Sequence, residues 1–406
     1  MIGFGLTYLA TEGEGLAFVP NPFPLEDTQR VSAPPLLIGG DSCTQPFLAR
    51  AVVNISGMSY GALSEPAVRA LSRGAQGSGC WLNTGEGGLA PAHREGRCDL
   101  VMQIGTAKFG IRDVLGGLSE DRARALGLVV KVFEIKLSQG AKPGKGGVLL
   151  ARKVTPDVAR IRGIEAYRDA ISPPGHVDIR NVDSLLDAIA RLRDLTGRPV
   201  GVKTALGDGR FLFDLCDAVH RRALSSAPDF LTIDGSEGGS GAVPQMLADH
   251  MGLPLREALP LVVDILLQAS LKERIRVIAS GKLVTPAKVA WALCMGADFV
   301  TTGRGFLFAL GCIQALRCHT DSGPTGITTH NRRLQRGLVV EDKSLRVARY
   351  GQAMNRGVDE FAHICGVGHA RLLRREHVLL MTPDGYVKGS VRYPYGHPLR
   401  AARHHA

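Results

Sequence analysis

Pro228-Asp229-Phe230-Leu231-Thr232-Ile233-Asp234-Gly235 is followed downstream by Ile275-Arg276-Val277-Ile278-Ala279-Ser280-Gly281 and then by Asp298-Phe299-Val300-Thr301-Thr302-Gly303. Each stretch is a short run rich in β-branched and apolar residues that ends in glycine, the pattern of a strand buried on both faces. Helical patterns fill the gaps: residues 257–271 (EALPLVVDILLQASL) and residues 285–297 (TPAKVAWALCMGA), the second with a proline near its start. Upstream the alternation continues. Residues 182–195 (VDSLLDAIARLRDL) space Leu and Ile at helical intervals, residues 198–204 (RPVGVKT) read as a strand, and residues 211–225 as a helix. Such βα succession builds either a doubly wound sheet or a closed barrel. The glycines decide for the barrel, because Asp234-Gly235-Ser236-Glu237-Gly238-Gly239, Ser280-Gly281-Lys282 and Thr302-Gly303-Arg304-Gly305 all follow strand ends. Two late βα units with glycine after the strand are the phosphate cradle of a TIM barrel's active face. A G-x-G-x-x-G fingerprint after an early strand, which a dinucleotide domain requires, is absent from the sequence. The expected class is therefore α/β, a (β/α)8 TIM barrel with N- and C-terminal extensions.

Composition agrees. The 406 residues are 45% hydrophobic and 21% charged, which excludes a disordered chain, and the 50 glycines follow no fixed period, which excludes collagen-like architecture. The opening MIGFGLTYLATEGEGLAF lacks a basic n-region, and no run of eighteen uncharged apolar residues occurs, so a cytoplasmic protein without membrane contact is expected. Eight cysteines without a C-x-x-C pair read mostly as buried reduced thiols. The +11 formal charge is concentrated in residues 331–406, with 14 Lys+Arg against 6 Asp+Glu and no interleaved aromatic pattern. That distribution suits a solvated face or a docking surface better than a nucleic-acid site. The chain divides into an N-terminal extension (1–45), a barrel (46–330), a helical continuation (331–385) and a basic tail (386–406).

Three segments in the first half hold more glycine and polar residues than packing needs: ISGMSYGALS (55–64), LNTGEGG (82–88) and EIKLSQGAKPGKGG (134–147). Together with the late cradle they point to a cofactor at the barrel mouth. A flavin there needs backbone contacts near N5, a donor near N1 and O2 of the ring, and a phosphate site. Met58 with Gly57 and Ser59 supplies the first, Gln103 an amide, and Lys203 a cation. A lysine inside a barrel is costly unless something anionic sits beside it.

These segments, with QIGTAKFG (103–110), KVTPDVARIRG (153–163), ISPPGHVDI (171–179), GVKT (201–204), IDGSEGGSGA (233–242) and GADFVTTGRGFLFALGCIQALRCH (296–319), resemble the FMN-binding synthase domain of the glutamate synthase family. The likeness runs in the family's order from Ile55 to His319, with a weaker helical continuation over 344–367. It implies a TIM barrel that holds FMN and reduces the imine formed from a 2-oxo acid and ammonia, the acid being 2-oxoglutarate in the family. Carried over by position, FMN contacts fall on Ser56, Gly57, Met58, Ser59, Gln103, Lys203, Gly238, Gly239, Gly281, Gly303 and Arg304. Glu86 and Lys136 take the catalytic positions, and Lys142 and Arg162 the substrate-binding ones. Three cations suit an anionic oxo acid, and a carboxylate beside them suits an amine.

The departures narrow the expectation. The family follows GAKPG-x-GG with glutamine, and this chain has Val148 there, so a smaller or less polar acid is expected. The family's three-iron cluster uses Cys-x5-Cys-x4-Cys. Cys312 and Cys318 keep the first spacing, but the third position is Gly323, which offers no thiolate, so no iron–sulfur cluster and no other metal site is expected. Cys312 and Cys318 are then read as two buried thiols and His319 as a surface imidazole. The family's N-terminal glutaminase is not seen before the barrel motifs, so ammonia or an amine would come from solution or a separate glutaminase, and electrons from a separate donor subunit. Two alternatives remain at this level: an FMN-dependent oxidase or dehydrogenase of another small acid, and a flavin-poor docking subunit of a larger synthase.

Overall fold

The computed structural model describes residues 15–388 apart from 24, 141, 240–244, 248–249 and 383–384. The first fourteen residues of the N-terminal extension and nearly all of the basic tail therefore lie outside the described residues. Eight parallel strands close into a barrel in chain order: Val53–Ile55, Leu82–Asn83, Leu100–Ile104, Val132–Lys136, Val200–Thr204, Phe230–Asp234, Arg276–Ser280 and Phe299–Thr302. The last strand closes on the first through Val300 beside Val53 and Thr302 beside Ile55. The strands named from sequence, and the helices between them, are all present.

The helices begin and end where local chemistry dictates. Ser64 caps helix Glu65–Ser78 by accepting from the Ala67 amide, and Gly79 ends it in the left-handed region. Asn181 caps Val182–Thr196, and Thr285 followed by Pro286 starts Pro286–Cys294. The long helix Val340–Ile364 lies against Glu65–Ser78, a contact so close that a Cβ at Gly74 would run into Val347. The helical continuation is thus part of the barrel's outer ring. The two ends of the described chain also meet, because Leu16–Phe18 pairs antiparallel with Val378–Thr382, which pairs in turn with Gly385–Lys388.

Two departures from a plain barrel position the site. At the N-terminal ends of the strands, the hairpin Leu36–Ile38 and Phe47–Ala49 sends Ile38, Phe47 and Ala49 into an apolar cluster with Trp81, Val101, Val132, Phe230, Ile278 and Phe299 from inside the barrel. Burying side chains of this size contributes roughly 1.5–3 kcal/mol each, so this end is sealed by packing. At the opposite end, the connection between strands Val132–Lys136 and Val200–Thr204 is far longer than a crossover needs. It carries the short pair Val148–Leu149 with Ala170–Ile171 and the helix Pro156–Arg162, and it folds over the mouth.

Candidate active site

A cavity of about 330 Å³ opens at the C-terminal ends of the strands. Its walls include every residue the sequence assigned: Ser56, Gly57, Met58, Ser59, Gln103, Lys203, Gly238, Gly239, Gly281, Gly303 and Arg304, with Glu86, Lys136, Lys142 and Arg162. Strand ends and the loops after them place the first group. Lys136 ends the fourth strand, and Lys142 and Arg162 come from the long connection, Arg162 as the last residue of a helix stopped by Gly163 in the left-handed region.

The polar centre is built around Glu86. Lys136 Nζ donates to Glu86 Oε2 at 3.0 Å and to Gln139 Oε1 at 2.8 Å. Room for the carboxylate comes from two glycines, since a Cβ on Gly105 or Gly147 would stand 2.7 or 2.5 Å from Glu86 oxygens. Burial works against ionisation of Glu86, but Lys136, Lys142 and Arg162 outweigh it and hold the carboxyl below its usual range. Burial also lowers the pKa of Lys142, with Glu86 opposing. Arg162 is 5% exposed; burial brings its guanidinium down to about 10, its Nη2 donates to the Tyr60 carbonyl at 3.3 Å, and it lies 4.9 Å from the Phe109 ring centre. Its Nε has no hydrogen-bond partner among the described residues although it is buried. A buried cation with an unused N–H, beside two lysines, is the donor set an anionic ligand would satisfy.

Lys203 has the anionic neighbour its position required: Asp234 Oδ2 lies 3.6 Å from its Nζ. Asp234 also accepts from Ser280 Oγ at 2.7 Å and from the Gly140 amide at 2.9 Å. Sequence reasoning passed over Asp234, and it passed over Glu134, which sits inside the barrel below the cavity and is 3% exposed. Both could have been found from period two: Glu134 and Lys136 share a face of their strand, as do Thr232 and Asp234. A third residue was missed. Lys153 is 1% exposed and donates to three carbonyls, of Ala62 (2.8 Å), Cys318 (3.0 Å) and Thr328 (3.0 Å). Burial lowers its pKa to about 8. It pins the loop after the last barrel helix to the first βα loop.

That loop corrects one expectation. Cys312 and Cys318 are half-buried and face the cavity, not packed away as buried thiols, while His319 is exposed at the same wall. They lie at the mouth because the short helix Arg304–Leu310 ends at Gly311 and the chain then crosses the opening. Gly323 lines the same wall, where a Cβ would overlap Thr328 Oγ1. Among the described residues no group of three or more His, Cys, Asp or Glu side chains is placed to hold a metal ion.

Residues 19–368 match the model of the conserved region in glutamate synthase. The chain belongs to the glutamate synthase family. It is 42% identical over 354 residues to a glutamate synthase large subunit-like protein, YerD, of Bacillus subtilis, covering 86% of this chain and 67% of that protein. It is 32% identical to the archaeal-type glutamate synthase [NADPH] of Thermotoga maritima (81% of this chain, 62% of that one) and 33% identical to the archaeal glutamate synthase [NADPH] of Methanocaldococcus jannaschii (79% and 60%). The chain thus spans about three fifths to two thirds of these relatives' length. Among solved structures it resembles a flavocytochrome b2 variant with pyruvate bound, with a TM-score of 0.54 and 15% identity over 89% of this chain and 75% of that one. A mandelate oxidase variant with a monooxide FMN adduct gives 0.52 and 16% over 90% and 88%. At such identities the likeness concerns the fold. No helix among the described residues is long and apolar enough to cross a membrane.

Proposed function

We propose that this member of the glutamate synthase family is an FMN-dependent oxidoreductase that reduces the imine of a 2-oxo acid with ammonia or an amine to an amino acid. The observation that carries the reading is the convergence of Lys136, Lys142 and Arg162 on Glu86 in the same cavity as Met58, Gln103 and Lys203. The residues present fit FMN. Gly281, Gly303, Lys282 and Arg304 follow two neighbouring strands and offer backbone and cationic groups for a phosphate, and a Cβ at Gly303 would reach van der Waals contact with Met58 Sδ at 3.5 Å, taking up room that the glycine leaves free. Ser56 to Ser59, Gln103 and Lys203 would hold the ring system, and Gly238 and Gly239 the remaining edge. When bound, FMN supplies hydride transfer.

The chain's own groups account for binding and orientation. Lys142 and Arg162 hold the carboxylate end of the oxo acid, and the unpartnered Nε of Arg162 has a hydrogen to give. Lys136 and Glu86 act as a pair. The ionised Glu86 carboxylate accepts from the amine N–H and orients it, while Lys136 can pass a proton to the substrate nitrogen and regain it from solvent. Val148 lines the cavity beside Leu149 and Leu150, which favours an acid with a smaller or less polar distal group than 2-oxoglutarate. The cysteine wall does not fit the family's three-iron cluster: Gly323 supplies no ligand, and a side chain there would have to displace Thr328. No step is assigned to such a cluster. Separate glutaminase and electron-donor subunits would serve the site.

The test is an absorption spectrum of the purified protein with iron analysis of the same sample. Flavin bands near one per chain without iron support the reading, and reduced protein should then convert oxo acid plus ammonia or methylamine to an amino acid. No flavin after addition of FMN would overturn it in favour of a docking subunit.

A further inference from the structure

Below the cavity, inside the barrel, a carboxylate accepts hydrogen bonds from three neutral donors among the described residues. Glu134 Oε1 accepts from Asn83 Nδ2 at 2.8 Å and from Gln103 Nε2 at 2.7 Å, and Oε2 accepts from Thr232 Oγ1 at 2.6 Å. An ionised carboxylate is acceptor-only, and a side-chain amide has one donor end and one acceptor end. Glu134 therefore settles which way each amide points. Asn83 must turn its nitrogen down to Glu134, and its Oδ1 is then spent on the Gly85 amide at 2.9 Å, one residue before Glu86. Gln103 must also turn its nitrogen down, which leaves its oxygen on the side of the cavity that the residue lines. The two amides are clamped from above as well, because a Cβ on Gly57 would lie 2.8 Å from both Asn83 Oδ1 and Gln103 Nε2.

We propose that Glu134 is the positioning residue of this wall: it fixes Gln103 as a hydrogen-bond acceptor that takes the N3–H of the flavin's pyrimidine ring, and through Asn83 it sets the height of the loop carrying Glu86. The proposal rests on the FMN reading above and deepens it. Its chemical content is a polarity. A Gln103 amide in the opposite orientation would offer N–H to the flavin carbonyls and would be indifferent to N3, whereas the observed network recognises the one N–H of the ring and leaves the carbonyls to other donors.

The experiment compares the affinities of FMN and N3-methyl-FMN, by fluorescence titration of flavin-free protein, in the wild type and in Glu134→Gln, Glu134→Asp and Gln103→Met. The wild type should prefer FMN by about tenfold or more, the scale of one buried hydrogen bond. Glu134→Gln keeps an oxygen where Oε1 stands, with its nitrogen turned to Thr232, so its preference should stay within about threefold of the wild type. Glu134→Asp keeps the charge but withdraws the acceptor by one methylene, and it should lose most of the preference, as should Gln103→Met. Folding is checked by circular dichroism, and the isosteric Glu134→Gln together with the shortened Glu134→Asp keeps the test independent of any one variant that fails to fold. Equal affinity of the wild type for both flavins, or retention of the preference by Glu134→Asp or by Gln103→Met, would overturn the proposal while leaving FMN binding itself intact. Absence of FMN binding by the wild type would instead sink the reading on which it rests.

Discussion

Lys136 Nζ stands 3.0 Å from Glu86 Oε2, joining residues fifty positions apart, and the pair is largely shielded, with side chains 12% and 22% exposed. Glu86 is the countercharge for three cations, Lys136, Lys142 and Arg162. Glu86→Gln leaves those cations uncompensated and should destabilise the fold on the order of 3 kcal/mol, read by urea unfolding. Imine reduction should fall by about 100-fold or more while FMN affinity stays near the wild-type value. A Glu86→Gln protein of unchanged stability and turnover would remove Glu86 from the site.

His93 provides a pH-dependent test away from the cavity. It is 1% exposed, accepts from the Ala90 amide through Nδ1 at 3.0 Å, and burial brings its pKa from 6.5 down to about 4. Above pH 6.5 both folded and unfolded forms are neutral there, and the stabilisation is complete. As pH falls through 6.5 towards 4 the unfolded chain binds a proton that the folded chain refuses, so stability is lost, by about 3 kcal/mol at the low end. His93→Asn, which keeps an acceptor for Ala90, should flatten the unfolding free energy between pH 6.5 and 4.

Val148 tests acid selectivity. Its side chain is half-exposed and lines the cavity. Val148→Gln adds a donor and an acceptor, and the ratio of kcat/KM for 2-oxoglutarate over a monocarboxylic oxo acid should rise by at least about tenfold. No change in that ratio would place the acid's distal group elsewhere.

Gly323→Cys tests the cysteine wall. The new Cβ overlaps Thr328 Oγ1, so the substitution should cost about 1–3 kcal/mol. Thr328→Ala should return most of that loss, and thermal melts of the two single variants and the double variant give the coupling energy directly. Additive effects would mean that the clash is relieved by some other movement.

The barrel was legible because parallel strands buried on both faces read as unbroken apolar runs, and because Gly235, Gly281 and Gly303 mark the ends where ligands sit. Lys203 was legible as a charge at the end of such a run. Asp234 was no less visible at the end of FLTID, but it reads as the start of a loop until its partner is known. Glu134 lies inside VFEIK, where a single acid looks like an interruption of the core; only the closure of the barrel brings Asn83, Gln103 and Thr232 to it. Arg162 is 76 residues from Glu86, and no local periodicity connects them. Resemblance linked the two, and the fold explains the link through the helix that folds back over the mouth. The hairpin of residues 36–49 straddles the boundary expected at residue 45 between extension and barrel, since nothing local in two short strands says that they plug a barrel.

That hairpin makes the barrel a cup and not a pipe. A cup fills and drains over one rim, so the guests of the proposed reaction would share one doorway, and whatever enters last would stand in the way of everything that entered before it. Under that reaction, traffic would be ordered by depth, the deepest guest being the earliest to arrive and the last to leave.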